Sequence, residues 1–143
     1  MARTDKKLEH LSNVRLFQAC NKKELGLIAK RSDEINMPAG RTIVQEGESG
    51  YEFFLILEGQ AKVTKGGRKT ATLGPGQYFG ELALLDGQVR SASVVAETDM
   101  ELLVLGRCEF TGIIDEVPSI AHKLLSAMSL RLRDADAKAA ATH

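Results

Sequence analysis

The middle of the chain, from about residue 32 to residue 106, is a series of short β-type runs separated by glycine. Between two of these runs stands Gly66-Gly67, which predicts a two-residue hairpin turn because both central positions of that turn need a positive φ. Many short strands at this spacing favour an antiparallel sandwich or barrel, which leaves few strand edges open. The runs occupy residues 42–44, 53–57, 61–64, 70–73, 91–96 and 100–105.

Helical patterns flank this β region on both sides. Residues 4–31 are helical in pattern, and Asn21 can cap a helix whose third position is Glu24. Beyond the β region, a short helical segment precedes a longer helix that Pro118 can begin. The longer helix fades into an alanine-rich tail at residues 134–143, which we expect to be frayed. The chain of 143 residues is therefore predicted to be a single domain, mainly β with flanking helices.

The composition of the chain limits the classes of partner that such a domain is expected to bind. Apolar residues make up 43% of the chain, and nineteen basic residues balance nineteen acidic ones, so no nucleic acid or anionic membrane is expected as a partner. The longest apolar run, residues 53–57, is far shorter than the ~20 residues of a membrane helix, and the charged N-terminus is no secretory signal. Cys20 and Cys108 are isolated, which is typical of single buried thiols in a reducing cytoplasm.

Residues 79–93 do not continue the β pattern. Gly80 is followed by good helix formers that can make only one or two turns before Gly87 stops them. A short helix entered through glycine presents backbone N–H groups at its start, and these groups together with the helix dipole favour an anion. The small residues Gly80 and Ala83 allow a ligand to approach the backbone closely. The segment therefore predicts an anion-binding turn.

Two charged side chains belong to the same segment. Arg90 lies nine residues after Glu81, and its guanidinium can hold two phosphate oxygens at once. Glu81 can accept a hydrogen bond from a sugar hydroxyl, so the two side chains and the backbone amides between them can form a nucleotide clamp. From spacing alone a second interpretation stays open, in which Glu81 pairs with Arg90 in a structural salt bridge and the turn merely links strands.

The segment resembles the phosphate-binding cassette of the cyclic nucleotide-binding domain family. The matching residues are 79–85, which read FGELALL, and 90–94, which read RSASV. The family includes the regulatory subunits of cyclic AMP-dependent kinase, cyclic nucleotide-gated channels and bacterial catabolite activator proteins. The resemblance covers about residues 14–132 and includes further landmarks at family spacing, namely residues 46–48, 53–57, 58–59 and 73–78.

The resemblance implies both a fold and a site. The fold is an eight-stranded antiparallel β-roll, jelly-roll-like, with N-terminal helices and a C-terminal pair of lid helices. Glu81 would bind the ribose 2′-hydroxyl and Arg90 the cyclic phosphate, with backbone amides of the neighbouring residues completing the phosphate site. No cofactor and no metal are implied. The nucleotide-binding residues so implied are Gly80, Glu81, Leu82, Ala83, Arg90, Ser91 and Ala92.

Two positions depart from the pattern of the family. Tyr51 and Glu52 follow Gly50 where many members have Gly-Asp, a change that we expect to alter a loop and leave the clamp intact. Ser91 follows the arginine where regulatory subunits selective for cyclic AMP usually carry alanine and cyclic GMP kinases carry threonine. Bacterial activators that respond to cyclic AMP also carry serine there, so Ser91 permits either ligand. We expect cyclic AMP, with cyclic GMP as the alternative.

The final helix of the family folds over the base as a lid. Here Leu124, Met128, Arg131 and Leu132 are the candidates for that contact. A second interpretation packs the apolar ones on the β-roll and leaves Arg131 in solvent. Apolar residues along this helix also follow a 4-3-4-3 spacing, which is barely two heptads but leaves a homodimer through the helix open.

These features together predict a stand-alone cytoplasmic receptor whose helices move when the nucleotide enters and whose effector protein, unidentified, reads the change. The sequence offers no nucleophile–base set and no metal-ligand cluster, so we expect no enzyme. The chain ends about ten residues after Arg133, and we expect no helix-turn-helix and no nucleic-acid binding. The alternatives are a relative of the catabolite activators that lacks its DNA-binding domain, and a fragment of a larger channel or kinase regulator.

Overall fold

Eight strands form the centre of the computed structural model, which describes residues 2–87 and 89–141. They are β1 (Asp33–Met37), β2 (Thr42–Val44), β3 (Phe53–Glu58), β4 (Ala61–Lys65), β5 (Arg68–Leu73), β6 (Tyr78–Phe79), β7 (Ser93–Ala96) and β8 (Met100–Leu105). All are paired antiparallel, in one sheet of order β1-β8-β3-β6 and another of order β2-β7-β4-β5. The predicted β-roll is therefore confirmed.

The core lies in two layers, one on each face of β3. Phe53 and Leu55 pack towards the helices, while Phe54 and Ile56 pack towards the second sheet. Successive side chains of a strand point to opposite faces, so a strand that is covered on both faces is apolar at every position. Each of these four side chains is at most 5% exposed. The continuous apolar run in the sequence thus marks the strand shared by both layers.

Helices precede and follow the β-roll. They are α1 (Ala2–Ser12), α2 (Lys22–Arg31), α3 (Ala83–Asp86), α4 (Arg107–Glu116) and α5 (Pro118–Ala141), with a 3-10 turn at Arg15–Phe17. The predicted cap of α2 is confirmed, since Glu24 N–H donates to Asn21 Oδ1 at 2.9 Å and Asn21 N–H donates to Glu24 Oε1 at 2.8 Å. Within the described part of the chain, no helix is long and apolar enough to cross a membrane.

Glu24 also fixes the start of α5. It is buried, Ser119 Oγ donates to its Oε2 at 3.0 Å, and Lys123 forms an ion pair with its Oε1. Burial alone would raise the pKa of this carboxyl, but the hydrogen bonds from Lys123, the Asn21 amide and Ser119 outweigh burial and hold the pKa below its usual value. The first two turns of α5 are therefore tied to α2.

The turn between β4 and β5 is the predicted two-residue hairpin. Gly66 has a φ of 60° and Gly67 a φ of 80°, the positive values that such a turn requires. Lys65 and Arg68 are paired across it. This prediction is confirmed.

Two strands were absent from the predicted runs. β1 begins with the exposed charged residues Asp33 and Glu34 and lies at the edge of its sheet, where one apolar face is enough. β6 has only two residues, Tyr78 and Phe79, too few to produce an alternating pattern. The predicted run at 91–96 was also too long, because β7 begins at Ser93.

The C-terminal helix is longer than expected. We predicted a frayed tail from residue 134, but α5 continues to Ala141, and residues 142 and 143 lie outside the described residues. Alanine has the highest helix propensity of any residue, so an alanine-rich tail can extend a helix whose earlier turns are held by packing.

The two cysteines differ in environment. Cys20 is buried as predicted, and burial raises the pKa of its thiol to about 11. The same prediction is wrong for Cys108, which is exposed. Cys108 lies on α4, whose inward face is formed by Phe110 and Ile113, so the thiol falls on the outward side.

Candidate functional site

A cavity of about 390 Å³ lies between the segment from β6 to α3 and the strands β2, β4 and β7. The chain brings all seven predicted nucleotide-site residues to its wall: Gly80, Glu81, Leu82, Ala83, Arg90, Ser91 and Ala92. The rest of the wall is mostly apolar, formed by Val44, Val63, Tyr78, Phe79, Val89 and Val94. The cavity therefore combines a polar side with a carboxylate and a guanidinium, and an apolar side that can hold a flat ring.

The turn into α3 is built by glycine. Gly80 has a φ of 80°, a conformation that residues with a Cβ rarely adopt. A Cβ at Gly80 would lie 2.5 Å from the carbonyl oxygen of Glu52 and 2.7 Å from Nη1 of Arg90. The backbone of residue 80, the Glu52 carbonyl and the Arg90 guanidinium can therefore lie this close together only when residue 80 is glycine.

One backbone amide of this turn already has a partner within the protein. The N–H of Ala83, a residue that the resemblance assigns to the nucleotide site, donates to the carbonyl of Gly80 at 3.1 Å. The physical reason is that α3 starts at Ala83 after a turn at residues 81–82, so this amide closes the turn.

Arg90 is held from both its backbone and its side chain. Its N–H donates to the Glu48 carbonyl at 2.8 Å, and its own carbonyl accepts from the Gly47 amide at 2.9 Å. Its Nη2 donates to the Glu52 carbonyl at 2.9 Å, and its guanidinium lies 5.9 Å from the centre of the Phe54 ring. Partial burial lowers the pKa of Arg90, an effect that the Glu52 carboxylate opposes. Arginine side chains are not deprotonated in proteins, so the cavity wall carries a fixed cation.

Glu81 is the second charged group of the wall. Its Oε1 accepts a hydrogen bond from Nη1 of Arg131 at 2.8 Å. Its Oε2 is buried and has no hydrogen-bond partner among the described residues. The alternative in which Glu81 pairs with Arg90 is therefore wrong, because the carboxylate turns to α5 instead. Within the described residues, one oxygen of this carboxylate therefore has a hydrogen-bond partner and the other has none.

The four lid candidates lie at different depths along α5. Leu124 is only 4% exposed and belongs to the core between the helices and the first sheet, and Met128 packs against that core. Leu132 is 64% exposed. Arg131 contacts Glu81, and none of the four is among the described residues that line the cavity. In this arrangement, the contact of α5 with the site is the hydrogen bond from the Arg131 side chain to Glu81.

The sequence analysis did not identify several residues of the cavity wall. Val44 and Val63 come from β2 and β4, which are ordinary β-type runs in the sequence, and Val89 comes from the segment before Arg90. Their approach depends on the pairing of β2 and β4 with β7, which spacing along the chain does not reveal. Within the described residues there is no group of three or more acidic, histidine or cysteine side chains that could hold a metal ion.

Comparison with known proteins agrees with this geometry. Residues 34–117, more than half of the chain, match the family described as cyclic nucleotide-binding domain. The chain is 37% identical over 126 residues to the cyclic AMP receptor protein of Thermus thermophilus, a match that covers 85% of this chain and 58% of that protein. It is 39% identical over 115 residues to the cAMP-dependent protein kinase regulatory subunit of Aspergillus niger, covering 79% of this chain and 28% of that protein.

A solved structure is similar over nearly its whole length. The N-terminal domain of a transcriptional regulator from Streptomyces coelicolor A3(2) has a TM-score of 0.83 and 29% sequence identity, covering 90% of this chain and 93% of that one. By contrast, the chain spans 58% and 28% of the length of the two curated relatives. The similarity therefore concerns one domain of those larger proteins.

Proposed function

Because the chain belongs to the family of cyclic nucleotide-binding domains, we propose that its cavity binds a cyclic nucleotide monophosphate, and cyclic AMP in particular. The observation that carries this proposal is the buried Oε2 of Glu81, which has no partner among the described residues, in a residue that lines the same cavity as Arg90. The two groups have the chemistry to hold the sugar and the phosphate of one ligand.

The phosphate is assigned to Arg90. A guanidinium presents five N–H donors in a planar fork and can bind two phosphate oxygens together, which a lysine ammonium cannot do. The Nη2 of Arg90 is already oriented by its hydrogen bond to the Glu52 carbonyl, and the centre of the Phe54 ring lies 5.9 Å from the guanidinium. An arginine fixed in this way loses little side-chain entropy when the ligand arrives.

The ribose is assigned to Glu81. A buried carboxylate oxygen without a hydrogen bond carries a desolvation cost of about 1–3 kcal/mol. A ribose 2′-hydroxyl in the cavity would donate to Oε2 and remove that cost, while Arg131 continues to bind Oε1. The base is assigned to the valine side of the wall, where its ring would be covered by apolar groups. Ser91 leaves cyclic GMP as the alternative ligand.

The first test compares cyclic AMP with its 2′-deoxy analogue by titration calorimetry. We expect the analogue to bind about tenfold more weakly, because Glu81 Oε2 would again lack a donor. The Glu81→Ala variant should bind both ligands equally, because the discriminating group is gone. Equal affinities of the unaltered chain for the two ligands would give Glu81 a structural part only.

Signalling is assigned to α5, which side-chain polar contacts join to the rest of the described chain near its start and at Arg131. Its first two turns are held by Glu24, and a later turn is held by the pair of Arg131 with Glu81. Ligand entry changes the surroundings of Glu81 and therefore acts on the second attachment while the first stays fixed. The family regulates other proteins through such binding, and we assign to this chain a non-catalytic regulatory role towards an effector protein, with a homodimer through α5 as one form of it.

Hydrogen exchange with and without cyclic AMP measures this coupling. In the unaltered chain we expect the ligand to slow exchange at residues 79–92 and, by about tenfold, at residues 127–132. The Arg131→Ala variant should lose the second effect, whereas the Arg133→Ala variant, which changes an exposed arginine two residues further along the same helix, should keep it. Protection confined to residues 79–92 in the unaltered chain would contradict transmission through α5.

A further inference from the structure

The loop residue that departs from the family pattern, Tyr51, contacts the end of α3. Gly87 is the C-cap of α3, with a φ of 63° and its N–H donating to the Ala83 carbonyl at 2.9 Å. The Tyr51 ring lies directly against the Gly87 backbone, so that a Cβ at Gly87 would overlap the ring. The ring therefore covers the last turn of the segment that leads to Arg90.

A cation also lies close to the same ring. Cζ of Arg107, the first residue of α4, lies 5.0 Å from the ring centre of Tyr51. An arginine at this distance from an aromatic ring is attracted by the ring quadrupole. Tyr51 is 43% exposed and Arg107 is exposed, so core packing does not account for their approach.

The residues on both sides of Tyr51 contact Arg90. A Cβ at Gly50 would overlap the Arg90 guanidinium, and the Glu52 carbonyl accepts the hydrogen bond from Nη2. Three consecutive loop residues therefore contact the two halves of the cassette, with Gly50 and Glu52 at Arg90 and Tyr51 at the end of α3. Since α4 packs on α3 and leads directly into α5, Arg107 connects this loop to the C-terminal helices.

We propose that Tyr51 is a positioning residue for nucleotide binding, which acts by holding the end of α3 in place, and that its ring ties this segment to α4 through Arg107. The inference rests on the proposed function, because its effect is on the affinity for the cyclic nucleotide. It goes beyond our expectation that the change at Tyr51 and Glu52 alters a loop and leaves the clamp intact. The loop residue acts on the position of the cassette and gives the cassette a contact to α4, in addition to the contact that Glu81 makes with Arg131 of α5.

Titration calorimetry with cyclic AMP on a set of variants tests the proposal. Tyr51→Ala should weaken binding by about threefold to tenfold, and Tyr51→Phe should restore it to within about twofold, because phenylalanine keeps the ring that contacts Gly87 and Arg107. Arg107→Ala should weaken binding by at least twofold. Arg68→Ala, an exposed arginine in the β4–β5 hairpin, is the matched control and should bind as the unaltered chain does.

The double variant Tyr51→Ala/Arg107→Ala separates a coupled pair from two independent effects. If the ring and the guanidinium act together, the double variant loses no more affinity than Tyr51→Ala alone, whereas independent effects multiply. If the unaltered chain binds cyclic AMP and Tyr51→Ala binds equally well, or if the two losses multiply, this inference is wrong while the proposed function stands. If the unaltered chain binds neither cyclic AMP nor cyclic GMP, the proposed function itself is wrong.

Discussion

Replacing Arg90 by leucine is expected to weaken cyclic AMP binding by at least about 100-fold, or about 3 kcal/mol. Leucine fills a similar stem volume but has no donor for the phosphate and leaves the anion in a cavity with apolar walls. The loss of one hydrogen bond to the Glu52 carbonyl should reduce stability only slightly. Titration calorimetry measures the affinity, and a thermal melt verifies that the variant is folded.

Two companion variants make this result specific. Arg90→Lys keeps the charge but loses the two-pronged contact, so its affinity should lie between those of the unaltered chain and Arg90→Leu. Arg68→Leu removes an exposed arginine from the hairpin of β4 and β5 and should not change binding. An Arg90→Leu variant that is folded and retains the affinity of the unaltered chain would remove Arg90 from the phosphate site.

A single methyl group at Gly80 is expected to have the second-largest effect. The Gly80→Ala change places a Cβ 2.5 Å from the Glu52 carbonyl oxygen and 2.7 Å from Arg90 Nη1, so one or both groups must move. Since that carbonyl orients the guanidinium, we expect affinity for cyclic AMP to fall by about 30-fold or more, measured by the same titration. The positive φ of Gly80 adds about 1–2 kcal/mol of backbone strain to the folded state.

Gly67 provides the matched control for this change. It has the same φ of 80°, but a Cβ there would meet no heavy atom within 4 Å. Gly67→Ala should therefore lose a similar amount of stability to backbone strain and keep its affinity. If both variants lose affinity equally, the effect comes from general destabilisation and the close approach at Gly80 has no part in binding.

The residues that the sequence assigned to one site and that line the cavity lie within one short stretch of the chain. Residues 80–83 and 90–92 line one cavity because a short helix and a turn bring them together locally. The positions of the glycines and of the helix-forming residues in the sequence predict this local geometry. The same holds for the cap at Asn21 and the hairpin at Gly66-Gly67. Patterns that span a few residues are determined by backbone preferences, which a sequence displays directly.

The contacts that the sequence did not predict join residues far apart in the chain. Arg131 and Glu81 are 50 residues apart, and their pairing depends on the angle at which α5 crosses the β-roll. The contact of Tyr51 with Arg107 likewise depends on how α4 begins against α3. The edge strand β1 was not predicted for another reason. A strand with one buried face does not require the continuous apolar run that marks β3.

Titration calorimetry of the unaltered chain with cyclic AMP tests the central claim most directly. We predict saturable binding with one ligand for each chain, and at least tenfold weaker binding of 5′-AMP, whose open phosphate has rotatable bonds that the cyclic phosphate lacks. Cyclic GMP measured in the same way decides between the two cyclic ligands. Absence of saturable binding of either cyclic nucleotide up to about 1 mM, or equal affinity for 5′-AMP, would contradict the assignment of the cavity to a cyclic nucleotide.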